Sequence, residues 1–189
     1  MTIQTAIDAG DVEGLGRALA SFPGGANELI PWGPGGKNVT HPLHYVSDMV
    51  FERAISERVG LRLVDALLEA GSDVNHKQNE SALHGAASLG AEEIGLRLID
   101  AGARVDVLGS LGETPLHWAA HMGQARLVAR LLAAGAKTDI EDSRYRATPL
   151  GWALHGLTNS LPGCSSGHAD VIALLDGPAI RPSPAPFWH

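Results

Sequence analysis

The chain has 189 residues, of which 44% are hydrophobic and 19% are charged, a composition typical of a folded globular protein rather than a disordered one. Its net charge is −7, and it contains no run of basic residues that would match a phosphate backbone. These features exclude the usual electrostatic signature of nucleic-acid binding, so we expect no nucleic acid among its partners.

The single cysteine, Cys164, excludes a disulfide within the chain and is compatible with a reducing compartment. The N-terminus lacks the charged start and apolar centre of a signal peptide, and no apolar run approaches the length of a membrane span. We therefore predict a cytoplasmic protein that has no membrane partner.

Residues 5–22 predict two short helices that are separated near Gly10, with Asp11 as the N-cap of the second helix. Residues 23–39 are rich in proline and glycine, which excludes a helix and predicts a loop. Because an exposed indole forfeits a large apolar burial, Trp32 predicts that this loop folds back onto the body of the protein.

Four segments then share one plan, in which a turn, an apolar helical pattern, a glycine and a second helical pattern follow one another. The central two are 33 residues apart, as shown by Leu83-His84 and Leu116-His117. The predicted units are residues 40–75, 79–108, 112–141 and 146–177. The first carries an insertion around residues 50–58 and the last an insertion around residues 157–166. Residues 178–189 form a proline-rich tail, and we expect its Phe187-Trp188 pair to dock.

The segment Thr114-Pro115-Leu116-His117, with variants that begin at His41, Ser81 and Thr148, resembles the signature of the ankyrin-repeat family. The resemblance implies an all-α ankyrin-repeat solenoid, a single stand-alone domain over residues 1–189, in which residues 5–22 are an atypical half repeat. It also implies that the histidines in this slot, His44, His84 and His117, form hydrogen bonds between repeats.

The resemblance further implies that ligands meet the concave side of the repeats. Residues two, five and six positions after the shared leucine of each first helix should point to that side. Gly85 should leave a hole between Tyr45 and Trp118, and the Trp32 loop should help to close the face. The predicted binding residues are Trp32, Tyr45, Asp48, Met49, Gly85, Ser88, Leu89, Trp118, His121, Met122, Trp152 and His155.

An aromatic face with a few polar groups favours a protein-binding module, because such residues are typical of interface hot spots. The alternative is a small-molecule pocket or an enzyme, in which His121 or His155 acts as a general base with Asp48. We assign no catalytic residue on this evidence.

The sequence also predicts no metal and no cofactor. His117 and His121 have a spacing that suits zinc, but the glutamate of the zinc-protease helix motif is missing. Cys164 and His168 share that spacing, and we interpret them as ordinary loop residues rather than metal ligands or a nucleophile.

Overall fold

A computed structural model describes residues 1–76, 81–159 and 166–177, and the chain divides into two compact units, Met1–Ala103 and Arg104–His189. The predicted docking of the Phe187-Trp188 tail and the interpretation of Cys164 lie outside the described residues. Each unit is built from successive pairs of helices.

The first unit contains six α-helices, two short 3-10 helices (Gly25–Asn27 and Pro34–Gly36) and a short antiparallel hairpin among its described residues. In chain order the elements are α1 (Ile3–Asp8), α2 (Val12–Ser21), β1 (Ile30–Trp32), β2 (Asn38–Thr40), α3 (Pro42–Phe51), α4 (Glu57–Glu69), α5 (Ala82–Ser88) and α6 (Glu92–Asp100). Helix α3 packs against both α1 and α5, while α4 packs against α2 and α6. The first helices of the pairs therefore form one layer and the second helices another.

Local sequence signals account for where these helices begin. As predicted, Asp11 caps α2, and its Oδ1 accepts a hydrogen bond of 2.8 Å from the Gly14 amide. Ser56 and Ser81 cap α4 and α5 in the same way. The buried core between the layers consists of leucines and isoleucines at helical spacing, namely Ile7, Leu15, Leu43, Leu63, Leu67, Leu83, Ile94 and Leu98.

The prediction of a simple loop over residues 23–39 is wrong, because part of this segment pairs as a hairpin. Ile30 lies opposite Thr40, and Trp32 lies opposite Asn38. Gly33, Gly35 and Gly36 all have positive φ values, between 62° and 74°, which an L-residue rarely adopts. The glycines therefore build the turn that reverses the chain between the two strands.

The segment does fold back onto the body as predicted, but the Trp32 side chain that led to this prediction is 42% exposed. Ile30 anchors the hairpin instead, being only 4% exposed, and the Gln4 side-chain amide donates a hydrogen bond of 3.1 Å to the Pro31 carbonyl. The hairpin does contact the helical body, but through the start of β1 rather than through the indole.

The insertion near residues 50–58 lengthens two helices and adds only a short turn. Helix α3 has 10 residues and α4 has 13, whereas α5 and α6 have 7 and 9. Most of the extra residues therefore lie within the two helices themselves.

The second unit contains four helices among its described residues, α7 (Pro115–His121), α8 (Ala125–Ala133), α9 (Pro149–Thr158) and α10 (His168–Leu175). Helix α7 packs against α8 and α9, and α10 packs against α8 and α9. Its core includes Leu116, Leu127, Leu131, Val171 and Leu175, all fully buried.

The three slot histidines differ in what they contact. His117 matches the expectation: its Nδ1 accepts from the Thr114 amide at 3.0 Å, and its Nε2 donates to the Ala147 carbonyl at 3.2 Å, at the start of the next helix pair. The His84 Nδ1 lies 2.9 Å from the Ser81 hydroxyl of its own pair. His44 instead packs its ring against Gly85.

Candidate functional site

The predicted binding residues are distributed over both units, and each group is described by itself. The first unit holds Trp32, Tyr45, Asp48, Met49, Gly85, Ser88 and Leu89, and the second holds Trp118, His121, Met122, Trp152 and His155. Asp48 thus belongs to a different unit from the two histidines with which it was paired in the acid–base hypothesis.

A groove of about 570 Å³ lies in the first unit between the hairpin, α3 and the end of α5. We call it the Trp32 groove. It brings together four of the predicted residues, namely Trp32, Asp48, Ser88 and Leu89. The other lining residues are Lys37, Asn38, Val39, Thr40, His41 and His44, which sequence reasoning did not include in the site.

Both exposed apolar and partly buried polar side chains line the groove. Trp32 is 42% exposed and Val39 is 43% exposed, and both lie on the hairpin. Asp48 and Ser88 are only partly buried and belong to α3 and α5. The hairpin therefore places large apolar side chains beside polar groups that belong to helices far from it in sequence.

Asp48 contacts His44 one helical turn earlier, with 3.9 Å between Oδ1 and Nε2. Burial, together with the nearby His84, lowers the pKa of His44 to about 4. The imidazole is therefore neutral near pH 7, and this contact joins a carboxylate to an uncharged ring rather than two opposite charges.

His41 lines the groove at the start of α3, where the other repeats carry serine or threonine. Its Nε2 lies 3.2 Å from the Asn27 side-chain oxygen, and its ring stacks on His76 with centroids 4.6 Å apart. Burial and the neighbouring His76 lower the pKa of His41 to about 4. Both histidines of the groove are consequently uncharged near neutral pH.

The expected hole beside Gly85 does not exist. A Cβ at this position would lie 2.8 Å from the His44 Nε2, so the missing side chain makes room for that imidazole. Gly85 allows close packing between α3 and α5 and does not open a binding cavity next to Tyr45.

Tyr45 and Met49 are buried, with 6% and 8% exposure, so the expectation that they line an open face is wrong. The Tyr45 hydroxyl donates a hydrogen bond of 2.7 Å to Asp8 at the end of α1. Burial and this hydrogen bond raise the pKa of Tyr45 to about 12. The N-terminal helix covers this side of α3, which the spacing within α3 alone does not reveal.

In the second unit, three aromatic rings surround Trp152. Its indole contacts Trp118, His117 and His121 edge to face, with centroid distances of 4.9, 5.4 and 5.9 Å. His121 in turn stacks on His155, with centroids 5.5 Å apart and 17° between the planes. These side chains fill the space between α7 and α9, and Trp152 is only 6% exposed.

Asp142 holds this cluster in place, and sequence reasoning missed it. Its Oδ2 accepts hydrogen bonds of 3.1 Å from the Trp152 indole and the Ala147 amide, while its Oδ1 accepts from the Arg144 and Tyr145 amides at 2.9 and 2.7 Å. Burial alone would raise the pKa of this carboxyl, but the donated hydrogen bonds hold it below its usual range. The sequence signal for this role was an aspartate that precedes the short connection to Thr148-Pro149, since aspartate side chains commonly accept hydrogen bonds from the backbone of such turns.

Met122 and His121 are also buried, at 1% and 6% exposure, contrary to the expectation that they face a groove. The His121 Nδ1 lies 3.4 Å from the Trp152 carbonyl, and burial lowers the pKa of this histidine. His168 is not a loop residue, since it begins α10 and its Nε2 donates to the His121 carbonyl at 2.8 Å. His121 thus lies inside the packing of α7, α9 and α10.

Among the known protein families, the chain matches the model described as ankyrin repeats (3 copies) over residues 52–142. This is an ankyrin-repeat protein. The predicted fold class, an all-α repeat solenoid, is confirmed. Ankyrin repeats are generally protein–protein interaction modules. A search of the curated proteins gives no match.

Two predicted residues of the ankyrin-repeat protein remain partly exposed in the second unit, Trp118 and His155. The Trp118 Nε1 is buried and has no hydrogen-bond partner among the described residues. The His155 Nδ1 lies 3.3 Å from the Asn159 amide nitrogen. The hypothesis that His121 or His155 acts as a base stays a prediction.

Within the part of this ankyrin-repeat protein that the structure describes, no group of three or more histidine, cysteine, aspartate or glutamate side chains is arranged to hold a metal ion. No helix in the described ranges is both long enough and apolar enough to cross a bilayer.

Proposed function

We propose that this ankyrin-repeat protein binds a partner protein at the Trp32 groove, with the Trp32 indole as the central anchor. The observation that carries the proposal is the 42% exposure of a tryptophan held on a hairpin beside polar side chains. Exposing an indole to water forfeits apolar burial, and tryptophan is strongly enriched among residues that dominate binding energy.

The surroundings of Trp32 support a docking role. Gln4 donates to the Pro31 backbone and Ile30 is buried, so the strand that carries Trp32 is held at the two residues before the indole. A rigid aromatic side chain loses little conformational entropy when it is covered by a partner. Asp48 and Ser88 place polar groups beside it, which gives the surface directional hydrogen-bonding capacity.

The proposal replaces part of the predicted face. Asp48, Ser88, Leu89 and Trp32 stay in the proposed site, whereas the burial of Tyr45 argues for a role in packing. The general role of ankyrin repeats in protein binding does not depend on which surface of this chain is used.

The test is affinity capture from cells that naturally contain the protein, with bound proteins quantified by mass spectrometry for the wild type and two variants. Trp32→Ala removes the proposed anchor, and Phe51→Ala is the matched control because Phe51 is a 43% exposed aromatic residue of the same unit that does not line the groove. Both substitutions should leave the free energy of unfolding within about 0.5 kcal/mol of the wild type, since both side chains are exposed.

We expect Trp32→Ala to weaken the binding of a specific partner by about 2 kcal/mol or more, roughly a 30-fold increase in Kd, while Phe51→Ala retains it. A partner that is captured equally by the wild type and by Trp32→Ala would show that the groove is not the binding surface.

A further inference from the structure

We propose that the partner protein enters the Trp32 groove as an extended segment, which pairs with the outer edge of β2 and adds a third strand to the hairpin. The segment forms hydrogen bonds with the Val39 N–H and C=O and places alternate apolar side chains against Trp32 and Leu89. This inference rests on the proposed function and specifies the form of the partner at the same site.

The register of the hairpin decides which backbone groups of β2 are used within it. Pro31 lies opposite Val39 at the centre of the antiparallel pair. In such a ladder, opposite residues that exchange two hydrogen bonds alternate with opposite residues that exchange none. Because proline has no N–H, the pair of Pro31 and Val39 is one that exchanges none. The N–H and C=O of Val39 therefore point away from β1, to the outer edge of β2.

A contact on the other strand agrees with this assignment. The Pro31 carbonyl accepts a hydrogen bond of 3.1 Å from the side chain of Gln4, which belongs to α1. This carbonyl thus points out of the hairpin, as the register requires, and the outer edge of β1 is already paired with α1. In the part of the chain that the structure describes, no group forms a hydrogen bond with the Val39 backbone. The outer edge of β2 is therefore the one that a partner can use.

This edge borders the groove. All three residues of β2 line it, whereas Trp32 is the one residue of β1 that does so. A strand edge with unpaired backbone groups is a template for an added strand, and extended peptides bind to other proteins in this way. A helical segment would satisfy its own backbone groups internally and would leave the Val39 N–H and C=O without partners. The edge therefore favours an extended occupant over a helix.

The two faces of the hairpin specify the side chains of that segment. Opposite residues of an antiparallel pair place their side chains on the same face. One face carries Ile30 and Thr40, which are 4% and 7% exposed, together with Trp32, while the other face carries Val39, which is 43% exposed. Side chains alternate along a strand, so the partner residue opposite Val39 points to the exposed face and its two neighbours point to the Trp32 face. We therefore expect apolar partner residues two positions apart, which cover the Trp32 indole and Leu89.

The first measurement is hydrogen exchange of the backbone amides in the free full chain, followed by NMR. The amides of Asn38 and Thr40 donate within the ladder, so the Val39 amide should exchange at least about tenfold faster than either of them. Equal protection of the three amides would show that the edge of β2 is already paired and would overturn the inference.

The second measurement is an NMR titration of the full chain with the peptide Ser-Gly-Leu-Thr-Leu-Gly-Ser, whose leucines are two positions apart. One control peptide has the same composition with adjacent leucines, and another carries an N-methyl group on the threonine, which removes the donor to the Val39 carbonyl. The variant Val39→Pro removes the N–H without breaking a bond of the hairpin, and Val39→Thr keeps the backbone groups and the branched shape. Protection of the Asn38 and Thr40 amides and urea midpoints verify the fold of each variant.

We expect the alternating peptide to bind and to slow the exchange of the Val39 amide. N-methylation of the peptide and Val39→Pro should each raise the Kd by about tenfold or more, because each leaves one backbone group of the pair without a partner. Adjacent leucines should raise the Kd by about fivefold or more, since one of them then points away from Trp32. Val39→Thr should change the Kd by less than about threefold.

Failure of the alternating peptide to bind would overturn the inference, and so would equal binding of the N-methylated peptide. An equal Kd for Val39→Pro and Val39→Thr, both folded, would also contradict it. Affinity capture separates this inference from the proposed function. If the captured partner is lost with Trp32→Ala but retained by Val39→Pro, the groove stands as the partner site and the extended occupant is wrong. If capture does not depend on Trp32, the proposed function itself fails.

Discussion

Replacing Asp142 by asparagine is the substitution whose cost follows most directly from the structure. Asp142 is 1% exposed and accepts four hydrogen bonds, two on each carboxylate oxygen. Asparagine has nearly the same shape but only one oxygen, so it keeps at most two of these bonds. The NH2 group of the asparagine would replace one carboxylate oxygen and would face the two N–H donors that this oxygen accepted from.

The expected loss of stability is about 3 kcal/mol. Hydrogen bonds to a charged acceptor contribute roughly 1.5 kcal/mol or more each, and two of them disappear. Depending on the orientation of the asparagine, the lost pair is the one from Trp152 and Ala147 or the one from Arg144 and Tyr145. Because the pKa of Asp142 lies below its usual range, the carboxylate contribution is present above the unfolded pKa and is lost as the pH falls through the folded pKa. The measurement therefore belongs near neutral pH.

The assay is urea denaturation followed by tryptophan fluorescence, with the free energy of unfolding extrapolated at a shared m value. Glu141→Gln is the matched control, because it removes the same charge from the adjacent residue, whose carboxylate is exposed and 3.5 Å from Arg146. It should change stability by no more than about 0.5 kcal/mol. If Asp142→Asn costs less than about 1 kcal/mol more than Glu141→Gln, the hydrogen-bond network does not stabilise the α7–α9 pair as argued.

Two further predictions concern packing and protonation. Gly156→Ala should destabilise the protein by about 2 kcal/mol, because the new Cβ would overlap the His121 carbonyl and lie 2.7 Å from the His168 Nε2. The control Gly16→Ala, whose Cβ would have no atom within 4 Å, should stabilise α2 by up to about 1 kcal/mol. Equal shifts of the urea midpoint in the two variants would contradict the close packing around Gly156. His41 and His44 have folded pKa values of about 4, below the unfolded value of 6.5, so stability should be fully present above pH 6.5 and should fall as the pH drops towards 4. Between about pH 7 and pH 5 the loss should be roughly 2 kcal/mol per histidine, and a His41→Asn, His44→Asn double variant with an unchanged pH dependence would refute this assignment.

The sequence by itself determined the repeat architecture and the local construction of the helices. The 33-residue spacing, the Thr-Pro start of α7 and the N-cap at Asp11 are local signals, because the hydrogen bonds concerned lie within three or four residues. The inter-repeat hydrogen bond of His117 could also be predicted, since the repeat itself places the Ala147 carbonyl next to the ring.

The same locality limited the prediction of the candidate site. Helical spacing specifies the direction in which a side chain leaves its own axis, but not what lies in that direction. Tyr45 is covered by α1 through Asp8, and Trp152 is enclosed by rings from α7 and hydrogen-bonded to Asp142.

Only the tertiary structure decided which predicted residues form a surface. Trp32 and Asp48 are 16 positions apart along the chain and meet at one groove because the hairpin closes beside α3 and the end of α5. Gly85 was predicted to leave a hole, but the space was taken by His44 from the preceding repeat. Burial depends on neighbours that are remote in sequence, and these contacts are set by the packing of whole helices rather than by any single motif.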